Sequence, residues 1–324
     1  MDSISLIKTP IEAELEDFKA LFDTPLSDSN ALLDSVITHI RKRNGKMMRP
    51  ILVLLVARLY GVVSPATLHA AVSLELLHNA SLVHDDVVDE AFVRRGAPSV
   101  NALWRSHTAV LIGDYIFART YHVCMEQGGD DMLSEATRSG HEMSEGELTQ
   151  TELSESLRMT RELYLDIIYK KTASLLAACG AIGAISVNAT PEQIKAMRDF
   201  GTNLGIAFQI KDDILDFSPM EVTGKPMCGD MRERKITLPL LYVLENSSEA
   251  EHGKLIGKLS DIRQRPANVD YLARTVRERG GLEHAATVMT QYRDKALTSL
   301  ENYPESPVRE SMRRFADFVL ERNK

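Results

Sequence analysis

Two aspartate clusters carry the strongest chemical signal in the chain. Leu82-Val83-His84-Asp85-Asp86-Val87-Val88-Asp89 contains one D-D-x-x-D pattern, and Ile210-Lys211-Asp212-Asp213-Ile214-Leu215-Asp216 contains a second. With 21 Asp in 324 residues, chance supplies roughly 0.1 such patterns, so two of them demand a chemical reason. Asp85 and Asp89 are four apart and share a helix face, as do Asp212 and Asp216. Each cluster sits among apolar neighbours, near the C-terminal end of a long helical stretch. That end already carries partial negative charge, so three carboxylates there are mutually repelled and unfavourably placed. A hard divalent cation offsets the repulsion. All-oxygen ligation without a nearby Cys selects Mg²⁺ over zinc, and Mg²⁺ commonly sits between carboxylates and phosphates.

Cations suited to phosphate flank both clusters. Arg94 and Arg95 follow the first by five and six residues, and Lys46 and Arg49 sit in Gly45-Lys46-Met47-Met48-Arg49-Pro50. Lys171-Thr172 opens an uncharged stretch, and Lys225 and Lys235 follow the second cluster. Arg grips phosphate with paired donors, whereas Lys acts as a point charge. Any one of them alone reads as a surface charge; their weight comes from flanking both clusters. A carboxylate-bridged di-iron bundle is the rival metal chemistry, since Glu75-x-x-His78 and Glu249-x-x-His252 match its E-x-x-H pattern. The second pair falls in a polar stretch, Asn246 to Gly253, expected to be a connection, which disfavours that rival.

The elements that must position these groups are helical. Ser64-Pro65 starts one long helix, running to about Phe92. Thr190-Pro191-Glu192-Gln193 starts another, with Thr as N-cap, Pro at the first helical position and Gln three residues on. Nothing stops it before Ser218-Pro219, and Gly201 and Gly205 share a face that admits a close neighbour. A third helix is expected over Arg161 to Val187, and a shorter apolar one over Ile51 to Tyr60, opened by Pro50. Pro266 to Lys324 reads as two or three amphipathic helices. No alternating strand, internal repeat or Pro/Gly/Ser-rich linker is visible, so residues 1–324 are expected to form a single all-α domain.

Composition removes other classes. Lys plus Arg is 38 against 46 Asp plus Glu, a net charge of −8, the wrong sign for a general nucleic-acid binder. Cys124, Cys179 and Cys228 form no C-x-x-C pair and are odd in number, which points to a reduced cytoplasmic protein. The N-terminus shows no signal-peptide pattern. Thr172 to Pro191 is free of charge, but its glycines, serine, asparagine and many alanines suit a tightly packed buried helix better than a membrane span.

In these motifs the chain resembles the trans-isoprenyl (polyprenyl) diphosphate synthases, in their long-chain type. The pieces that carry the resemblance are Gly45-Lys46-x-x-Arg49-Pro50, Leu76 through Asp86, Arg94-Arg95-Gly96, Gly113-Asp114, Gly146-Glu147-Leu148-Thr149-Gln150, Lys171-Thr172-Ala173, Phe208-Gln209-Ile210-x-Asp212-Asp213, Gly224-Lys225-Pro226, and Gly229-Asp230 through Lys235-x-Thr237-Leu238-Pro239. Asn44 and Met47 depart from the Gly and Arg often found in the family. Glu233-Arg234 stands where Glu-Gly is common before the lysine.

The resemblance implies an all-α helical bundle in which the two aspartate helices face each other across a deep central cavity. It implies a prenyltransferase that joins isopentenyl diphosphate to an allylic diphosphate of the farnesyl or geranylgeranyl class. The allylic diphosphate is expected to bind through Mg²⁺ to Asp85, Asp89 and Asp212, with Asp86, Asp213 and Asp216 as direct or water-mediated partners. Arg94, Lys171, Lys225 and Lys235 would neutralise its phosphates. Gly45, Lys46, Arg49, His78 and Arg95 would hold isopentenyl diphosphate. Thr172, Gln209 and carbonyls near Lys171 would supply unreactive dipoles to the carbocation, and the proton would leave to diphosphate. A homodimer is a family expectation. Alternatives are a short-chain (farnesyl or geranylgeranyl) synthase, a terpene cyclase or a non-catalytic regulatory subunit. The intact second Asp212-Asp213-x-x-Asp216 pattern disfavours the last two.

Product length is read from the residues beneath Asp85. A tail leaving the charges runs towards the N-terminal end of the same helix, where Ser81 lies one turn down and Ala80 beside it. Both are small, so the path is expected to stay open and the product to reach the hexaprenyl to decaprenyl range. Leu77 and Ser73 follow on the same face and leave the floor undefined.

Overall fold

The computed structural model describes residues 3–24, 30–42, 45–94, 96–219 and 227–321. Arg95 and Lys225 lie outside the described residues. The chain folds into two compact units assembled from interleaved segments.

The first unit comprises residues 1–140, 175–199 and 303–314. It opens with α1 (Ser3–Lys8), α2 (Glu12–Phe22) and α3 (Ala31–Arg41). Helix α4 (Met48–Tyr60) buries every residue from Pro50 to Ala57. It carries no polar stripe because it has no solvent face over that stretch. It packs on α5 (Pro65–Val88), whose start is set by a reciprocal capping box between Ser64 and Thr67 with Pro65 in the first turn. Helix α5 ends at Val88, four residues short of the expected limit, with Asp89 as C-cap. A minimal antiparallel ladder follows, β1 (Val93–Arg94) with β2 (Ala97–Pro98). Its two-residue strands are too short to show alternation in sequence. The long α6 (Val100–Ser156) is kinked at Arg105 and Gly129, and its residues to Gly140 belong to this unit.

Helix α8 (Ser174–Ile185) is the uncharged stretch. A Cβ on Gly180 would stand 2.1 Å from the Met197 carbonyl oxygen, and one on Gly183 2.8 Å from that of Val53. Its small residues therefore serve close helix packing. Among the described residues no helix is long and apolar enough to cross a membrane.

The second unit comprises residues 141–174, 200–302 and 315–324. The expected helix over Arg161 to Val187 is divided: α7 (Arg161–Ile168) passes through five π-helical residues, Tyr169–Ala173, before α8. Helix α9 (Pro191–Leu215) begins at the Thr190 cap, with the Thr190 and Gln193 side chains each accepting the other's backbone N–H. From Phe200 onward it belongs to this unit. Gly205 lies on the π-helical segment: a Cβ there would stand 2.4 Å from Ala173 Cα. Short α10 (Gly229–Arg232) and buried α11 (Leu238–Glu245) follow. The Asn246 to Gly253 stretch is not a connection throughout: α12 (Glu249–Ser260) starts within it, behind a Ser248–Glu251 capping box. Its first turn is fully solvated, so the sequence there shows no apolar stripe. Helices α13 (Asn268–Glu278), α14 (Gly281–Thr298) and α15 (Pro307–Glu321) complete the chain.

Candidate active site

The first aspartate cluster occupies the last turn of α5, as its spacing predicts. Asp85 is half-buried, Asp86 is buried and Asp89 is exposed. Asp86 faces away from the other two and accepts from Arg94 Nε at 2.6 Å. Arg94 is brought there by the β1–β2 ladder, so a residue expected to meet phosphate also neutralises a carboxylate of the cluster. His84 stacks on Phe117 of α6 and donates to the Val110 carbonyl at 3.1 Å. Gly113 leaves space for that ring, since a Cβ would fall 2.1 Å from its Nε2. Below the cluster, Ala80 is fully buried, and the Ser81 hydroxyl is spent on the His78 carbonyl at 2.9 Å.

Lys46 and Arg49 bracket the start of α4, where Met47 takes a left-handed conformation with φ 54°. Non-glycine residues are rarely held there, and such positions gather at binding sites. Arg49 and the buried Glu75 both act on the Cys179 thiol, which burial pushes up to about 12. Gly45 is an exposed coil residue, and His78 is half-buried on α5.

The second cluster closes α9, and its Asp213 lines a cavity of about 190 Å³ together with Lys171, Gln209, Asp230 and Lys235. Asp213 is buried and accepts from Tyr164 Oη at 2.6 Å and from Gln209 Nε2 at 3.0 Å. Gln209 in turn accepts from Thr172 Oγ1 at 2.7 Å. The π-helical segment makes this possible by presenting Lys171 and Thr172 in one bulged turn; such turns recur at functional sites. Asp216 spends both carboxylate oxygens on the first amides of α10, Gly229 at 2.9 Å and Asp230 at 3.2 Å. Lys171 pairs with Glu147 at 2.5 Å and with Gln150, and Lys235 pairs with Glu233 at 2.5 Å. Gly146 lets α6 pass this close, since a Cβ would stand 2.8 Å from Lys171 Cγ.

The electrostatics record a surplus of carboxylates. Burial, then the nearby Asp230, pushes Asp213 up to about 8; the same causes in the same order push Asp216 up to about 7. Asp230 is itself raised by burial, against the pull of Lys235 and Lys171. A buried anionic cluster of this kind is stabilised by added positive charge. Among the described residues no three His, Cys, Asp or Glu side chains form a ready cage.

Each described site residue therefore falls in one of two neighbourhoods, one per unit. Asp230, Tyr164, Glu147 and Gln150 were not singled out from sequence. Asp230 is brought to the cavity by Asp216 through a link spanning fourteen residues, and Tyr164 by a contact spanning 49. Only their places inside the matching motifs, for Asp230, Glu147 and Gln150, offered a signal.

Two long helices, α5 and α9, each ending in a carboxylate cluster, with lysines around the second, define a class of all-α enzyme built to bind phosphorylated, metal-bridged substrates. The polyprenyl synthetase family model matches residues 30–276. The chain is 34% identical over 320 residues to an all-trans-nonaprenyl-diphosphate synthase (geranyl-diphosphate specific) of Rhodobacter capsulatus, covering 98% of this chain and 97% of that one. It is 46% identical to the crystal structure of a geranylgeranyl pyrophosphate synthase from Bacteroides thetaiotaomicron, with a TM-score of 0.86 over 99% of this chain and 100% of that one. A polyprenyl synthase from Caulobacter crescentus, solved with calcium and isoprenyl diphosphate, is 32% identical with a TM-score of 0.90, covering 99% and 98%. The chain belongs to the polyprenyl synthetase family and is a trans-prenyltransferase with the all-α isoprenoid synthase fold.

Proposed function

We propose that the enzyme condenses isopentenyl diphosphate with an allylic diphosphate of the farnesyl or geranylgeranyl class and releases diphosphate. The observation that carries this reading is the line Thr172–Gln209–Asp213–Tyr164, flanked in one cavity by Lys171 and Lys235. Mg²⁺ would be held by Asp85, Asp89 and Asp212. Asp86, Asp213 and Asp216 would act directly or through water. The metal supplies charge stabilisation to the departing diphosphate.

The chain's own residues do the rest. Lys171 and Lys235 exchange their Glu147 and Glu233 partners for phosphate oxygens, with Arg94 and Lys225 as further cations. Thr172 and Gln209 place oxygen dipoles, already hydrogen-bonded and therefore unreactive, beside the developing allylic cation. Gly45, Lys46, Arg49, His78 and Arg95 hold isopentenyl diphosphate while its double bond attacks, and the lost proton passes to diphosphate. Calcium in the Caulobacter enzyme supports a divalent cation here.

The product is read as long, hexaprenyl to decaprenyl, because Ala80 and Ser81, one turn below Asp85, are small; the Rhodobacter nonaprenyl relative supports this. Two observations favour a shorter, geranylgeranyl-class product, the first being the 46% identity to the Bacteroides geranylgeranyl pyrophosphate synthase. Tyr121 reaches across to Gly140, its hydroxyl 2.1 Å from where a Cβ would be, with Leu77 beside the same point. Leu77 is eight residues, about 12 Å, below Asp85.

The enzyme is further proposed to work in the cytoplasm, as its three buried free thiols suit, and as a homodimer. Exposed Leu103, Val110 and Leu111 on α6 offer apolar surface for a second copy. Diphosphate release from isopentenyl and farnesyl diphosphates is the decisive assay. Asp85→Ala and Asp212→Ala should each lower turnover by orders of magnitude at saturating Mg²⁺ with the fold retained. Near-normal turnover in either variant overturns the assignment. Light scattering on the purified chain tests the dimer.

A further inference from the structure

Lys235 reaches the cavity through a turn whose geometry suits glycine but whose residue is Arg234. Helix α10 ends in a Schellman arrangement, with Arg234 N–H donating to the Met231 carbonyl at 3.0 Å and Lys235 N–H to that of Asp230 at 2.8 Å. The residue between must then be left-handed, and Arg234 sits at φ 64°. Glycine adopts that conformation without strain, whereas a side chain with a Cβ does not. Arg234 uses its side chain elsewhere: Nη2 donates to the Glu155 carbonyl at 3.1 Å. Glu155 lies in the last turn of α6, where carbonyls lack helical partners and the helix dipole favours a cation. The same helix carries Glu147 and Gln150, the partners of Lys171.

We propose that Arg234 is a positioning residue for the diphosphate site, tying the turn that bears Lys235 to the end of α6 and so fixing its spacing from Lys171. Glycine would satisfy the turn and leave that tie unmade. The strained arginine is explained by what its guanidinium joins rather than by the backbone, which would be better served without it. A spacing set before substrate arrives removes an ordering cost from binding the two phosphates. The proposal rests on reading the cavity as a diphosphate site.

The test compares the full-length wild type with Arg234→Gly and Arg234→Lys. In Arg234→Gly the lost bond and the relieved turn oppose each other, so the melting temperature without ligands should stay within about 2 °C of wild type. The Michaelis constant for the allylic diphosphate should rise about fivefold or more, while that for isopentenyl diphosphate stays within about twofold. Calorimetric binding of pyrophosphate with Mg²⁺ should weaken alongside, and Arg234→Lys should recover part of the loss. Unchanged constants in Arg234→Gly overturn the proposal. So does an equal rise in both constants accompanied by a fall in melting temperature, which would mark a general structural role. A wild type that releases no diphosphate overturns the functional reading instead, and the pyrophosphate comparison then decides Arg234 by itself.

Discussion

Gln209 and Asp213 sit one turn apart on α9, and the Gln209 amide nitrogen donates to the Asp213 carboxylate at 3.0 Å while its oxygen accepts from Thr172 at 2.7 Å. Thr172 is here a donor to an acceptor, so the amide has one orientation that satisfies both contacts. Asp213→Asn tests it. The new amide oxygen keeps the Tyr164 bond, and its nitrogen faces Gln209, which must turn over. The Thr172 hydroxyl then rotates to accept, so every partner remains satisfied. The variant is expected to fold with a melting temperature at pH 8 equal to or above wild type, because a raised buried carboxylate has been removed. Turnover should fall by at least about tenfold, since the cavity loses a charge and Gln209 presents the other end of its amide. A strongly lowered melting temperature would show that the network cannot rewire.

The raised carboxylates also set a pH dependence for the metal-free enzyme. Asp213 and Asp216 stand at about 8 and about 7 in the folded chain, pushed up chiefly by burial, and near 3.9 unfolded. Their protonated forms are favoured by folding, so this stability is complete below about pH 4 and is lost as pH rises through 7 and 8. His69 and His284 are lowered, mainly by burial, and act in the opposite sense only below about 6.5. The clear window is therefore pH 6.5 to 8.5. In EDTA the melting temperature should fall across it, and Mg²⁺ with pyrophosphate should flatten the slope. A metal-free stability that rises across this window contradicts the assigned cause.

Where local rules decide, the sequence was sufficient. Ser64-Pro65 and Thr190-Pro191 started their helices because caps act within three residues. The clusters fell at helix ends because spacing and dipole arguments are local too. The π-helical turn at Tyr169–Ala173 was not legible, since the neighbour packed against it, Gly205, lies 32 residues away from Ala173 in sequence. Asp230 was missed for the same reason: its place depends on Asp216, which spends its oxygens on backbone amides rather than standing free. The Ser248–Glu251 capping box was present in the sequence, but a solvated first turn hid the helix behind it.

Gly205→Ala follows from that contact. A Cβ 2.4 Å from Ala173 Cα forces backbone apart from backbone, with no flexible side chain to yield. Overpacking of this kind costs about 1–3 kcal/mol. Because Ala173 adjoins Thr172, the displacement also disturbs the Thr172–Gln209 bond. Chemical denaturation should show lower stability, and turnover should fall even at temperatures where the variant is fully folded. Wild-type turnover in the folded variant would mean that Thr172 tolerates the shift.

Product length depends on which side chain first blocks a tail leaving Asp85 along α5. One turn down, Ala80 and Ser81 are small, and Ser81 turns its hydroxyl back to the His78 carbonyl. Two turns down, Leu77 Cδ1 and the Tyr121 hydroxyl both approach Gly140, and the Tyr121 ring lies tilted against Phe117, which stacks on His84. A helical turn rises about 5.4 Å, close to one extended isoprene unit. If Tyr121 stands beside the path, the wild type makes hexaprenyl to decaprenyl diphosphate, and Ser81→Phe, blocking one turn down, shortens it to about four units or fewer. Tyr121→Ala then changes little. If Tyr121 stands across the path, the wild type itself stops near four units and Tyr121→Ala lengthens the product. Mass spectrometry of the chains made by wild type, Ser81→Phe and Tyr121→Ala separates the two cases. Product lengths unchanged in both variants would remove α5 and α6 as the elements that measure the chain.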